Sequence, residues 1–314
     1  MDCDLLTVGE TLISLTGLQL GHLEDVATFD KSIGGAESNT AIGVARLGLR
    51  SAWVSRVGDD GLGRDLITRM RAEDVDVRGV TRHPQPTGLM IKERRSPSDV
   101  HVHYYRSGTA ASRLDVEDID PDQITGARRL HITGVTLALG AGPRRAVRRA
   151  FELAAAAEVQ ISFDPNLRLK LWSVDEAVKA YQELFPYVTD LLCNEQEAMW
   201  LARSANIEDA FDRLTSQGFE TVVVKRGERG VLGFRDDEVI ALEARQVEAV
   251  DSVGAGDAFN AGYLFGQLTG LSFRRSLEVG NWAASHVVAC LGDYEGFPDS
   301  HAYDKWAQGL EDDV

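Results

Sequence analysis

The chain has 314 residues, a formal net charge of −16, 44% hydrophobic residues and three cysteines, Cys3, Cys193 and Cys290. That charge argues against nucleic-acid or membrane partners, which call for basic patches. The three thiols are widely spaced with no C-x-x-C, which argues against a zinc site or a disulfide framework, and no apolar run reaches the roughly 20 residues of a membrane helix.

The N-terminus, MDCDLLTVGE, has neither a basic region nor a long apolar stretch, so a cytoplasmic protein without a secretory signal is expected. In chain order, DLLTVG, SAWVSRVG, RRLHITGV, VQISFDPN, TDLLCNE and ETVVVKRG read as strands. Between them, residues 36–48, 61–74, 143–157, 173–185 and 206–217 carry helical patterns. Such alternation predicts an α/β fold, with a mostly parallel sheet covered by helices on both faces. Two segments break it. Residues 11–34 and 86–108 read as short antiparallel strands with alternating side chains, too short for a domain of their own. They fit a small β-sheet lid on one domain spanning residues 1–314.

Several predicted strands end in polar residues: Asp164-Pro165-Asn166-Leu167-Arg168, Asn194-Glu195-Gln196-Glu197, and Lys225-Arg226-Gly227 with Gly230 beyond. In open α/β sheets ligands bind outside the carboxyl ends of the strands, so these ends are expected to converge on one cleft. His101 and His103 alternate with valines and read as a solvent face of the lid.

The stretch DSVGAGDAF, residues 251–259, carries the chemistry. Asp257 is expected to begin a helix, with Gly254, Ala255 and Gly256 before it. A helix N-terminus exposes unpaired N–H groups, and small residues let an anion approach them. A carboxylate beside such a hole, with an ordinary value near ~3.9, would be ionised and able to take a proton from a hydroxyl. That pairing suits phosphoryl transfer to an alcohol. The same residues also suit a plain helix cap after turn glycines. No P-loop, H-E-x-x-H or G-x-S-x-G is present.

DSVGAGDAFNAGYLFG resembles the C-terminal signature of the ribokinase-like (PfkB) carbohydrate kinases. GGAESNTAIGVARLG, residues 34–48, followed by SRVGDDGLGRDL, resembles their N-terminal signature. Order, separation and chain length agree. The resemblance implies a three-layer α/β/α sandwich with a β-sheet lid, and a kinase that uses ATP and Mg2+. It implies that Asp257 is the catalytic base and that Gly254, Ala255 and Gly256 form the anion hole. Gly34, Gly35 and Asn39 would face the sugar. Asn194 and Glu197 would organise Mg2+ through water, although Asn194 also reads as a helix cap. Asn166, Arg168, Lys225, Gly227, Gly230 and Asn281 would border the nucleotide, Gly227 and Gly230 also reading as turn glycines. Asp251 and Ser252 match a monovalent-cation site, for K+, of several relatives. Pairing of two copies through the lid is a further expectation.

Within the family, HYYR at 103–106, GTAAS at 108–112, DPNLR at 164–168 and LWS at 171–173 most resemble 2-keto-3-deoxygluconate kinases. Arg106 and Arg168 are the expected carboxylate ligands, because a guanidinium matches a carboxylate with two parallel hydrogen bonds. Tyr104 would add a flat wall. Arg168 reads alternatively as an ATP-phosphate ligand. Met90 stands where that subfamily often has a tyrosine, which shifts the expectation towards broader specificity. A kinase for a neutral sugar such as fructose, a related keto-sugar acid as substrate, and a silent sugar-binding regulator are the alternatives.

Overall fold

The structure is a computed structural model and describes residues 3–96 and 99–310. The expected lid range 86–108 and domain range 1–314 therefore each include residues outside the described ones. Nine strands form the main sheet: β1 (Cys3–Val8), β4 (Ser51–Gly58), β5 (Val80–His83), β8 (Ala127–Thr133), β9 (Gln160–Asp164), β10 (Asp190–Asn194), β11 (Thr221–Lys225), β12 (Val231–Arg235) and β13 (Glu238–Leu242). Their order is β13-β12-β11-β10-β9-β8-β1-β4-β5. From β11 to β5 every pairing is parallel, and β12 and β13 add an antiparallel edge.

The strands are apolar runs because the sheet is buried on both faces. In β11, Val222 and Val224 face the helices Ala141–Ala156, Val174–Gln182 and Ile207–Thr215. Val223 faces the opposite layer, with Ala36–Arg46, Ala255–Leu268 and Phe273–Val288. This is the three-layer arrangement the sequence predicts. The helix Ala255–Leu268 is apolar nearly all round and lies deep inside. Gly262 and Gly266 bring it against the helix Phe273–Val288, where any Cβ would meet Val279 or Ser276.

The second sheet has four strands, β2 (Leu12–Gly17), β3 (Phe29–Gly34), β6 (Leu89–Ser96) and β7 (Asp99–Tyr105), in the order β3-β2-β6-β7. Its two hairpins are antiparallel, but β2 and β6 pair in parallel, with Ser14 opposite Met90. Each hairpin is antiparallel as the sequence predicts, and the joint between the two, which the sequence leaves open, is parallel. The reason is connectivity: β2 follows the end of β1 and β6 follows the end of β5, so both run outward from the same side of the main sheet. The edge hairpin β12–β13 was not expected. It turns at Asp236 and Asp237, both at positive φ, as a two-residue hairpin loop requires.

Among the described residues no helix is long and apolar enough to cross a membrane. Cys3, Cys193 and Cys290 are free thiols.

Phe163 on β9 is fully buried between the rings of Phe151 and Tyr181, with centroids 6.3 and 5.2 Å away. Phe163→Ala is expected to cost about 3–5 kcal/mol in urea unfolding. A loss below about 1 kcal/mol would contradict a close-packed centre.

Candidate active site

The strand order reverses at β1 and β8, the place where open α/β sheets bind ligands. A cavity of about 100 Å³ opens there, lined by Glu10 beyond β1 and Val135 beyond β8. The small sheet contributes Met90, Lys92, Tyr104 and Arg106 to its wall. Gly34, Gly35, Asn39, Arg168, Gly254, Asp257 and Asp293 complete it. All seven residues expected to face the sugar therefore share one cavity with Asp257.

Asp257 is the third residue of its helix, not the first, because Ala255 and Gly256 already belong to the first turn and Gly254 is the cap. Gly254 has φ +82°, and a Cβ on it would run into the carbonyl oxygen of Asp293. Only glycine meets both demands. The N–H groups of Gly256 and Asp257 find no acceptor among the described residues, as a helix start requires. Asn39, on the helix Ala36–Arg46, donates its Nδ2–H to Asp257 Oδ2 at 2.8 Å. Burial pushes the Asp257 carboxyl up to about 7; Asn39, Arg168 and Lys225 pull it down, and Asp164 adds to the rise. The ordinary, fully ionised carboxylate expected from sequence is thus corrected, and burial is the reason.

Behind Asp257 lies a polar network of which the sequence motifs contain only some members. Asp164 Oδ2 accepts from Lys225 Nζ and from Asn260 Nδ2, each at 2.7 Å. Its Oδ1 accepts from the Asn166 N–H at 3.0 Å, in a turn that puts Asn166 at φ +38°. Burial pushes Asp164 up, but Lys225 and Asn260, with His131, together hold the carboxyl below its ordinary range. Burial likewise opposes the Lys225 charge, and Asp164 holds the ammonium above its ordinary range. Lys225 Nζ would lie 3.7 Å from a Cβ on Gly256, so its charge sits beside the helix start.

Asn194 and Glu197 form a reciprocal cap: Asn194 Oδ1 accepts from the Glu197 N–H, and Glu197 Oε2 accepts from the Asn194 N–H, both at 2.9 Å. Glu197 Oε1 takes the Leu167 N–H at 2.8 Å. Burial raises the Glu197 carboxyl, and the negative Asp164 adds to it. With both oxygens on backbone amides, Glu197 fits a metal only through water. Among the described residues no cluster of three His, Cys, Asp or Glu is spaced to hold a metal ion directly.

On the far side, Gly227 and Gly230 have φ of +58° and +81°, and Gly230 packs on the Leu242 carbonyl. Asn281 Nδ2 donates to the Glu243 carbonyl at 3.1 Å, so Gly230 and Asn281 meet at the segment 242–244. Asp251 accepts from the Val253 N–H at 3.0 Å, and Ser252 is exposed.

The two arginines separate. Arg106 Nε donates to Glu10 Oε2 at 2.8 Å, and its guanidinium lies 5.5 Å from the Tyr104 ring centroid. Thr109 donates to the other Glu10 oxygen at 3.0 Å. Arg106 therefore already has one carboxylate partner inside the protein, Glu10, while still lining the cavity. Arg168 is exposed at the rim, and its guanidinium has no hydrogen-bond or ion-pair partner among the described residues. Lys92 Nζ pairs with Asp293 at 3.0 Å, both buried. Glu10, Lys92, Asp293 and Asn260 escaped sequence reading. Lys92 alone left a signal, being a charge on the strand face shared with Met90.

Known proteins resemble the chain over nearly its whole length. Residues 3–300 match the model of the pfkB family of carbohydrate kinases. A 2-dehydro-3-deoxygluconokinase of Bacillus subtilis is 35% identical, covering 95% of this chain and 93% of its own. One from Thermoproteus tenax is 33% identical, covering 98% and 94%. A crystal structure described as a putative ribokinase II of E. coli with ATP and Mg2+ superposes with a TM-score of 0.91 at 25% identity, covering 98% of this chain and 99% of that one.

Gly254→Ala is expected to lower the melting temperature clearly, whereas Gly256→Ala, with no positive φ and only Lys225 Nζ nearby, is expected to change it little. Equal melting of the two variants would contradict the strained cap.

Proposed function

The chain belongs to the pfkB family of carbohydrate kinases, and from that premise we propose that it phosphorylates the terminal hydroxyl of 2-keto-3-deoxygluconate, the compound also called 2-dehydro-3-deoxygluconate. The observation that carries this substrate is Arg168, an unpartnered guanidinium on the same cavity as Asp257. It can take a substrate carboxylate with two parallel hydrogen bonds. The names of the two relatives support the same reading.

In this reading Asn39 holds Asp257 so that one carboxylate oxygen faces the sugar. Asp257 accepts the hydroxyl proton as the sugar oxygen bonds to the γ-phosphorus of ATP. The bond from that phosphorus to the β,γ-bridging oxygen breaks, ADP leaves, and Asp257 returns the proton to solvent. The free N–H groups of Gly256 and Asp257 face the negative charge on the moving phosphoryl, and Lys225 adds a positive charge beside them. Mg2+ bound with ATP would supply further neutralisation of the phosphates, held through water by Asn194 and Glu197. The turn of Gly227 and Gly230 with Asn281 borders the nucleotide. Asp251 and Ser252 are the proposed monovalent-cation position. The small sheet acts as a lid that excludes water, and its outer face, where Tyr105 is 57% exposed, is the proposed contact between two copies. A cytoplasmic location goes with this reading, because ATP is plentiful there.

One observation favours a second reading. Arg106 is taken by Glu10, and Met90 supplies no hydroxyl, so the cavity is less committed to an acid than the sequence implied. A related keto-sugar acid or a neutral ketose is that alternative.

ADP release across 2-keto-3-deoxygluconate, 2-keto-3-deoxygalactonate, gluconate, fructose, ribose and adenosine decides between them. Preference for a keto-deoxy acid is expected, and preference for fructose would overturn the role of Arg168. Arg168→Ala should raise the KM of the acid about tenfold or more while sparing neutral sugars.

Asp257→Asn should lower turnover by about 10²–10⁴; a loss within about tenfold would remove Asp257 as the base. A base must be ionised, and this carboxyl is raised to about 7. Activity on sugar, followed as kcat/KM, should therefore be lost as pH falls through about 7 and level off above it. A raised acid also costs folded-state stability as pH rises from the ordinary carboxylate range towards 7. Asp257→Asn should accordingly melt no lower than wild type at about pH 8.

A further inference from the structure

The buried pair Lys92–Asp293 has no part in the chemistry described so far. Lys92 lies on β6 in the small sheet, and Asp293 lies in the loop after the helix Phe273–Val288, so the pair bridges the small sheet and the main body. The two side chains are 3% and 5% exposed. A pair this buried is a poor device for stability, because desolvation consumes most of the Coulombic gain. What sets it apart is where Asp293 sits. Its Oδ1 accepts from Lys92. Its Oδ2 lies 2.5 Å from where a Cβ on Gly34 would stand, which puts the carboxylate against the sugar-facing glycines. Its backbone carbonyl packs directly on Gly254, the left-handed cap of the Asp257 helix. One residue thus touches the small sheet, the proposed sugar floor and the proposed phosphoryl turn. Burial, Glu295 and Asp251 all disfavour its negative charge, and Lys92 is the cation that opposes them.

We infer that Lys92 is a positioning residue: by gripping Asp293 from the small sheet it fixes the backbone on which the Gly254 turn is built. The phosphoryl site is then fully formed only when the small sheet is seated. This links sugar enclosure to phosphoryl transfer without Lys92 touching either reacting atom. When the sheet lifts, Asp293 loses its cation, the Asp293 carbonyl shifts, and the Gly254–Asp257 amides lose their alignment. An enzyme so built is slow to hydrolyse ATP while its sugar site stands open. The inference rests on the reading of the Gly254–Asp257 turn as the phosphoryl site.

The test is amide hydrogen exchange on Lys92→Met and Lys92→Arg, without sugar, followed by steady-state kinetics with whichever sugar the panel selects. In Lys92→Met the segment 252–258 should exchange about tenfold faster, while the helix Ala141–Ala156 keeps its protection. Turnover should fall about tenfold or more with a smaller change in sugar KM, and Lys92→Arg should recover most of both. Asp293→Asn, which keeps the shape but removes the charge, should reproduce the exchange change if Lys92→Met does not fold. Unchanged exchange at 252–258 would overturn the inference. So would faster exchange spread evenly over the chain, which marks a merely structural pair, or unchanged turnover. Because exchange is read without sugar, an error in the proposed substrate leaves this result intact, and an error in the inference leaves the sugar panel intact.

Discussion

The site is organised around the difficulty of burying two carboxylates, Asp164 and Asp257, close to one helix start. Each raises the cost of ionising the other, and burial raises it further. The fold treats them unequally. Asp164 receives an ammonium, an amide and a backbone N–H, so it stays a fixed anion. Asp257 receives one amide, from Asn39, and the partial positive charge of the helix start. It is left poised near neutrality, where a carboxyl can both hold and release a proton. Two carboxyl groups in one environment would not divide the labour this way. Lys225 is what separates them, because it cancels Asp164 and still lies beside the Gly256 turn.

The same pairing logic governs the cavity wall. Glu10 cancels Arg106, and Asp293 cancels Lys92. What remains is one free guanidinium, Arg168, and one carboxyl held above its ordinary range, Asp257. A chain of net charge −16 thus keeps a cavity that does not repel an anion. The global charge says little about that cavity, since exposed charges are screened beyond about 10 Å at ordinary ionic strength. The local arrangement of buried pairs decides it.

Much of this was legible in the sequence. β4 falls on SAWVSRVG, and the apolar runs of β8–β11 fall where strand–helix alternation puts them, because a parallel sheet buried on both faces leaves little choice. The glycines before Asp257 were legible as a special backbone. Other features were not, for physical reasons. The helix starts two residues before Asp257 because Gly254 turns left-handed against Asp293, a neighbour some forty positions away along the chain. The occupation of Arg106 depends on Glu10, which lies 96 positions away in the chain. The value of Asp257 depends on burial, which no window of sequence reports. The parallel joint of β2 and β6 follows from where two hairpins leave the main sheet, not from their alternation.

Gly34 and Gly254 share a neighbour, and this connects the fold to its chemistry most directly. Asp293 fills the space that a side chain on either glycine would need, with its carboxylate against one and its carbonyl against the other. Close-packed interiors transmit displacement because nothing beside them can yield. A shift of Asp293 is therefore felt at the sugar-facing backbone and at the helix cap together. The two glycines lie at opposite ends of the sequence, in the two motifs that identified the family. In this chain their common contact couples the two motifs physically, because each leaves room that the same aspartate occupies.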